Sequence, residues 1–151
     1  TVEGLINSGK IKSFGVSNFT ANQMDMFKGK VEILYNQINL SLTHLDHMYD
    51  GTLDYMQAND ILPMAYSPLG SYFKEQDGKI KKVVDKLKKK YDCTDYQLLI
   101  SWLLKHPSKV YPVIGTTKSD RINKSVDSLK IEIELIDWFE LLEASVGKRV
   151  P

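Results

Sequence analysis

The feature that most constrains this chain is an alternation of strand-like and helix-like runs. Ile11 to Val16, in GKIKSFGVSNF, is β-prone and ends in a polar turn. EILYNQINL supplies a second run from Glu32 to about Ile38, ILPMAY a third from Ile61 to Tyr66, and Val110 to Ile114 a fourth. Between them lie helix signals. T-A-N-Q from Thr20 and T-D-Y-Q from Thr94 are capping-box patterns, in which a threonine and the glutamine three residues on satisfy each other's backbone donors. The first of these helices is expected to run into Phe27 and stop near Gly29, and the second to cover YQLLISWLLKH up to Pro107. A short helix is expected over Thr52 to Ala58. A long amphipathic one should run from Lys79 to Tyr91, with Ile80, Val83, Val84, Leu87 and Tyr91 on its apolar side. Ser119 or Thr117 is expected to cap a helix running through Leu129. A last helix carries Leu135, Trp138, Phe139 and Leu142 at helical spacing and ends at Gly147.

Strand and helix repeated four times argue for parallel strands joined by right-handed crossovers. Four such units are half of an eight-fold barrel, or else a small open sheet, and alternation alone leaves both open. With 151 residues, 42% of them hydrophobic, the chain has enough material for one core. Twenty basic residues nearly cancel nineteen acidic ones, which removes any global field for nucleic acid or an anionic membrane. No apolar run approaches the roughly 20 residues of a membrane helix, and TVEGLINSGK lacks the apolar core of a signal peptide. A single cysteine, Cys93, excludes an intramolecular disulfide, so a cytoplasmic setting is the plain expectation. The chain opens on Thr1 within what reads as the end of a helix, through methionine removal or a cut from a longer protein.

Several features invite sharper readings that their context does not support. KIKKVVDKLKKKYD has an apolar stripe and reads as a solvated helix rather than a nucleic-acid element. His44 and His47, with Asp46 between them, sit in a loop without a third convincing ligand pattern, so no metal is expected. Cys93 has no histidine nearby to make it a nucleophile. Asn18, Asn39 and Asn123 begin glycosylation triplets of a kind that arises by chance. Trp102 and Trp138 are expected in the core, and Tyr72 as a surface aromatic.

Four segments fall in order at the expected strand ends: GKIKSFGVSNF (Gly9 to Phe19), YNQINL (Tyr35 to Leu40), MAYSPLG (Met64 to Gly70) and PVIGTTKSDRI (Pro112 to Ile122). Together they resemble the fifth to eighth strand–loop segments of the aldo-keto reductase family. The likeness extends through TDYQLLISWLLKHP and IDWFELLEASVG, and DGTLDYMQ and VGKRVP look most like its bacterial general-oxidoreductase branch. The resemblance implies an α/β fold: the C-terminal half of a TIM (β/α)8 barrel, spanning 1–151 as one domain. It would have four βα units, an extra helix after the third strand and a C-terminal helix. It also implies NADP(H) across the C-terminal mouth of the barrel, where such folds carry their chemistry. By the family's pattern, Ser17, Asn18 and Gln37 hold the nicotinamide carboxamide and the Tyr66 ring stacks on the nicotinamide. Ser67, Pro68, Leu69 and Gly70 cover the pyrophosphate. Gly115, Thr116 and Thr117 lead into a helix whose N-terminus favours anions. Lys118 and Arg121 in its first turn suit a 2′-phosphate, which points to NADP(H) over NAD(H). The sequence departs from the family at Lys124 and Ser125, which stand where Glu and Asn are usual, and at Asn39, where many relatives carry Glu.

The family's reaction is carbonyl reduction with a tyrosine as proton donor, tuned by a lysine and an aspartate and assisted by a histidine. Those residues come from the first four strand–loop segments, which are not in this sequence. No catalytic residue is therefore assigned, and the chain alone is expected to be inactive. The alternative is a non-catalytic half-barrel that binds nucleotide or a protein partner. Bare sheet edges lead to an expectation of self-association or of a complementary N-terminal half, which would also contribute to binding a small carbonyl substrate.

Overall fold

The computed structural model of the protein describes residues 1–74 and 78–150; Pro151, the last residue of VGKRVP, lies outside them. Four strands, β1 (Gly15–Ser17), β2 (Tyr35–Asn39), β3 (Leu62–Tyr66) and β4 (Tyr111–Pro112), form one sheet in the order β1-β2-β3-β4. All three pairings are parallel, and the register aligns Ser17 with Gln37, Gln37 with Met64 and Met64 with Tyr111. Parallel neighbours need a crossover. These are α2 (Ala21–Asp25), then α3 (Thr52–Ala58), then a pair, α4 (Lys79–Lys90) and α5 (Asp95–Leu104). α1 (Val2–Asn7) precedes the sheet, and α6 (Ser119–Asp127) and α7 (Leu135–Val146) follow it. The expected four units, the extra helix after the third strand and the terminal helix are all present.

Local chemistry explains where the elements start. Thr20 and Thr94 both close complete capping boxes, with Gln23 N donating to Thr20 Oγ1 at 3.3 Å and Gln97 N to Thr94 Oγ1 at 3.3 Å. α7 stops at Gly147, whose φ of 80° continues no right-handed helix. Other boundaries differ from the sequence pattern. β1 begins at Gly15 rather than Ile11, and β4 shrinks to two residues, because each is an edge strand with one neighbour to pair with. Pro112 has no N–H to extend the ladder, which Val113 N continues by donating to Ala65 O at 2.8 Å. Neither Ser119 nor Thr117 caps α6. Lys118 occupies that position without a side-chain bond, and Thr116 Oγ1 instead accepts from Lys118 N at 3.2 Å.

The helices cover one face of the sheet. Asn36, Ile38, Leu40, Pro63 and Ala65 point to that side and are buried. The alternating set Tyr35, Gln37, Asn39, Leu62, Met64 and Tyr66 is half-buried, and Ser17 and Tyr111 on the same side are exposed. The second face of a parallel sheet is ordinarily covered too. Trp102 and Trp138 join α5 to α7 with rings 5.2 Å apart and 8° from parallel. Each indole N–H donates to the other residue's carbonyl, at 3.2 and 2.9 Å. Leu135 departs from its expected stripe, since it is 62% exposed and Leu141 packs in the core instead. Tyr72 is likewise no surface aromatic: it is 5% exposed and donates to Asp95 Oδ2 at 2.9 Å.

The lysine-rich α4 packs on α7, buries Val84 and Leu87, and extends lysines to carboxylates, Lys86 to Glu140 at 2.7 Å and Lys90 to Asp137 at 2.7 Å. Burial pushes the Asp137 carboxyl up, but bonds from Lys90 and the Tyr91 hydroxyl outweigh it and hold the group below its ordinary 3.8. A carboxyl depressed in the folded state stabilises the fold above its unfolded pKa, and that stability is lost as pH falls through the folded value. Asp137→Asn is therefore expected to flatten the acid limb of stability against pH below about 4. Urea titrations from pH 7 to 2.5 check this, and an unchanged acid limb would contradict it.

Candidate cofactor site

The residues singled out in the sequence gather along the C-terminal ends of the four strands. Ser17 closes β1, Gln37 lies across from it on β2, Tyr66 closes β3, and Gly115–Thr117 follow β4. At the β1 end, Ser17 Oγ donates to Gln37 O at 3.1 Å and Asn18 N donates to the same carbonyl at 2.9 Å. Asn18 adopts a positive φ of 56°, in the left-handed region that asparagine tolerates better than most residues. Tyr66 lies on the same sheet face as Gln37, two residues beyond Met64 in the register, and pairs with Asn39. No hydrogen bond or ring contact among the described residues joins Tyr66 to the Ser17 cluster. The rim thus carries two groups of residues rather than one.

The second group forms around the loop after β3. Ser67 has a φ of 50°, and Gly70 N donates to Ser67 O at 2.8 Å, closing a tight turn. Gly70 has a φ of 53°, and a Cβ there would lie 2.0 Å from Thr43 Oγ1 and 2.4 Å from Ser41 Oγ. Thr43 Oγ1 also accepts from Ser71 N at 2.9 Å, so the loop after β2 supports the loop after β3. Leu69 and Phe73 line a groove of about 670 Å³ together with Thr94 and Tyr96 and with Arg121 and Lys124 of α6. Of the cofactor residues singled out in the sequence only Leu69 and Arg121 line it; Ser67, Pro68, Gly70, Gly115, Thr116, Thr117 and Lys118 do not, and a Cβ at Gly115 would meet only open space.

The groove is lined by two carboxylates, Asp95 and Asp120, and two cations, Arg121 and Lys124, so its lining is balanced in charge. Asp95, which also lines it, is already engaged by Lys88 at 2.9 Å and by the Tyr72 hydroxyl. Its carboxyl is pushed up by burial but held below its usual range by those two bonds. Among the described residues, Lys118, Arg121 and Lys124 take part in no ion pair, and all three are exposed on or beside the first turns of α6. Ser125 is committed elsewhere. Its Oγ donates to Arg121 O at 2.8 Å and so accepts from the Tyr96 hydroxyl at 2.6 Å.

Acid–base machinery is a different matter. Tyr55, Tyr72 and Tyr91 have hydroxyls pushed above the ordinary tyrosine value, by burial first and then by Asp25, Asp95 and Asp137 respectively. A tyrosine that gives up its proton in catalysis needs a shift the other way. Burial likewise raises the Cys93 thiol, helped by Asp95 and Asp92. His44 reaches Asp46 at 3.7 Å and His47 reaches Asp50 at 2.9 Å, and among the described residues no three His, Cys, Asp or Glu side chains converge for a metal. No helix among those residues is long and apolar enough to cross a membrane.

A four-stranded parallel sheet with one open face and a polar rim at its strand ends is the architecture of half a (β/α)8 barrel. The sequence matches the aldo/keto reductase family over residues 1–144, and the chain belongs to that family. It is 35% identical to 6-dehydroglucose reductase of Agrobacterium fabrum, over 99% of this chain and 52% of that protein. It is 32% identical to an NADPH-dependent alpha-keto amide reductase of Saccharomyces cerevisiae, over 87% of this chain and 43% of that one. The fold superposes on a thermostable aldo-keto reductase with a TM-score of 0.85 at 23% identity, covering 95% of this chain and 52% of the other. The chain thus spans about half the length of the curated relatives it matches.

Sequence reasoning did not single out Asn36, Thr43 or Tyr96. Only Asn36 carried a local signal, a polar residue in the register of Ile38 and Leu40 on the buried side of β2.

Proposed function

We propose that this chain is the cofactor-binding part of an NADP(H)-dependent carbonyl oxidoreductase, and that alone it binds the nucleotide without reducing carbonyls. The observation that carries the reading is the rim itself, with amide-binding groups at β1–β2 and unpaired cations beside a groove at α6. Asn39 adds a fit test. Its Oδ1 is buried without a hydrogen-bond partner among the described residues, on the sheet face that carries Gln37 and Tyr66. An unmade buried bond of this kind costs about 1–3 kcal/mol, which a donor brought to that face would recover. NADP(H), when bound, supplies the hydride. The protein's part is orientation: Ser17, Asn18 and Gln37 hold the carboxamide, and Tyr66 presents a flat face to the nicotinamide ring. Ser67 to Gly70 lie over the pyrophosphate, and Gly115, Thr116 and Thr117 lead it to the N-terminus of α6. Lys118 and Arg121 take the 2′-phosphate, with Lys124 as a third cation where the family's usual pattern has Glu. The yeast relative's NADPH dependence accords with this choice.

Arg121→Ala is expected to weaken NADPH binding about tenfold or more, since a hydrogen bond to a charged group contributes roughly 1.5–3 kcal/mol. Lys89→Ala, at an exposed residue of α4 away from the groove, should leave it unchanged. Calorimetric titration reads both, and equal effects would overturn the assignment. The same preparation should oxidise NADPH in the presence of aldehydes no faster than buffer does.

A second reading, a module that binds a protein partner, rests on one observation. Beside the unpaired edge of β4, Tyr111, Val126 and Leu129 are 52%, 55% and 67% exposed around an apolar groove. With β1 and β4 both at sheet edges, we take this surface to join a second copy or a complementary half-barrel. Light scattering should show association, and a strictly monomeric chain would contradict it.

A further inference from the structure

We infer that Asn36 is a positioning residue that sets the Ser17–Asn18 turn against Gln37, and through it the nicotinamide end of the site; the inference rests on the cofactor reading above. Asn36 is on the helix-covered side of β2 and is fully buried. A primary amide in such surroundings must make its hydrogen bonds there, because water cannot reach it. Its two bonds to oxygen and nitrogen are both with Phe19, and weaker ones go to methionine sulfur. Asn36 Nδ2 donates to Phe19 O at 2.8 Å, and Phe19 N donates to Asn36 Oδ1 at 3.3 Å. The side chain thereby satisfies both backbone groups of Phe19, as a neighbouring strand would. Nδ2 also donates weakly to Met24 Sδ at 3.5 Å and Met56 Sδ at 3.8 Å, which close the space around it.

What this pair of hydrogen bonds holds is the turn that carries Ser17 and Asn18. Asn18 has a φ of 56°, a conformation that persists where the surroundings over-determine it. Two successive β2 residues do that here. On one side the Gln37 carbonyl accepts from Asn18 N at 2.9 Å and from Ser17 Oγ at 3.1 Å. On the other the Asn36 side chain fixes Phe19, whose ring also packs 5.9 Å from that of Phe27. Gln37 and the turn are therefore held in one frame by adjacent residues of a single strand. The chemistry suits a primary amide: an ionised aspartate of the same shape accepts from Phe19 N but cannot donate to Phe19 O, and leucine does neither.

The test uses this chain and two probes, NADPH and adenosine 2′,5′-bisphosphate, which carries the groove-binding end without nicotinamide. Asn36→Asp should weaken NADPH about tenfold while changing the bisphosphate less than twofold, since misplaced contacts affect only the end they touch. Equal weakening of both probes would mean a merely structural role and would overturn the inference, as would no change in either. If the unaltered chain binds neither probe, the cofactor reading itself fails and the inference with it. If it binds both and the variant does not discriminate, only the inference fails. Should Asn36→Asp not fold, hydrogen exchange on the unaltered chain decides. The Phe19 amide and the Asn36 side-chain NH2 should exchange at least a hundredfold more slowly than exposed loop amides, and exchange at loop rates would overturn the proposal.

Discussion

Trp102→Ala should lower the unfolding free energy by about 4 kcal/mol, within the roughly 3–5 kcal/mol span of buried tryptophan truncations. Trp102 is 1% exposed and stacked on Trp138, and the reciprocal indole bonds tie α5 to α7. Truncation removes the packing of both rings, a contact that contributes about 0.5–1.5 kcal/mol beyond area burial, and leaves a cavity between two helices. A domain of ordinary size has only about 5–15 kcal/mol in hand, so roughly a quarter of the margin or more disappears. Leu135→Ala, at a residue 62% exposed on the same helix as Trp138, should stay within about 0.5 kcal/mol. Urea unfolding followed by far-ultraviolet circular dichroism reads both. A loss under about 1.5 kcal/mol at Trp102 would show that the α5–α7 contact is not central to the fold.

Gly70→Ala should cost about 2–3 kcal/mol although it adds a single methyl group. An L-residue in the left-handed region gives up roughly 1–2 kcal/mol, and the φ of Gly70 is 53°. The new Cβ would sit 2.0 Å from Thr43 Oγ1, and the movement needed to relieve this breaks the bond that Thr43 Oγ1 accepts from Ser71 N. That bond contributes about 1 kcal/mol more. The steric part is separable. In a Thr43→Ala background the same change should cost less, because one of the two clashing hydroxyls is gone. An equal cost in both backgrounds would mean that the backbone angle alone accounts for the loss.

The elements that were legible in the sequence depend on near neighbours. Thr20 with Gln23 and Thr94 with Gln97 are three residues apart, and both boxes formed. The short helix at Thr52–Ala58 begins and ends where its residues imply. Where the reading erred, the deciding partner was distant or spatial. The extent of β1 and β4 depends on their place at the sheet edges, and Tyr72 is buried because Asp95, 23 residues on, accepts its hydroxyl. The cap of α6 was misplaced because Thr116 turned to Lys118 N. The site shows the same division. Ser17, Asn18, Gln37, Tyr66 and Arg121 could be named from motifs, whereas Asn36 and Thr43 act through contacts 17 and 28 residues away. Those contacts decide how well the motif residues are held.

The most direct measurement of the central claim is a calorimetric titration of the purified chain with NADPH and, separately, with NADH. If the cofactor rim is already built, NADPH binds saturably and NADH at least about tenfold more weakly, because only NADPH brings the 2′-phosphate to Lys118 and Arg121. Binding of neither nucleotide, or equal binding of both, would contradict the account.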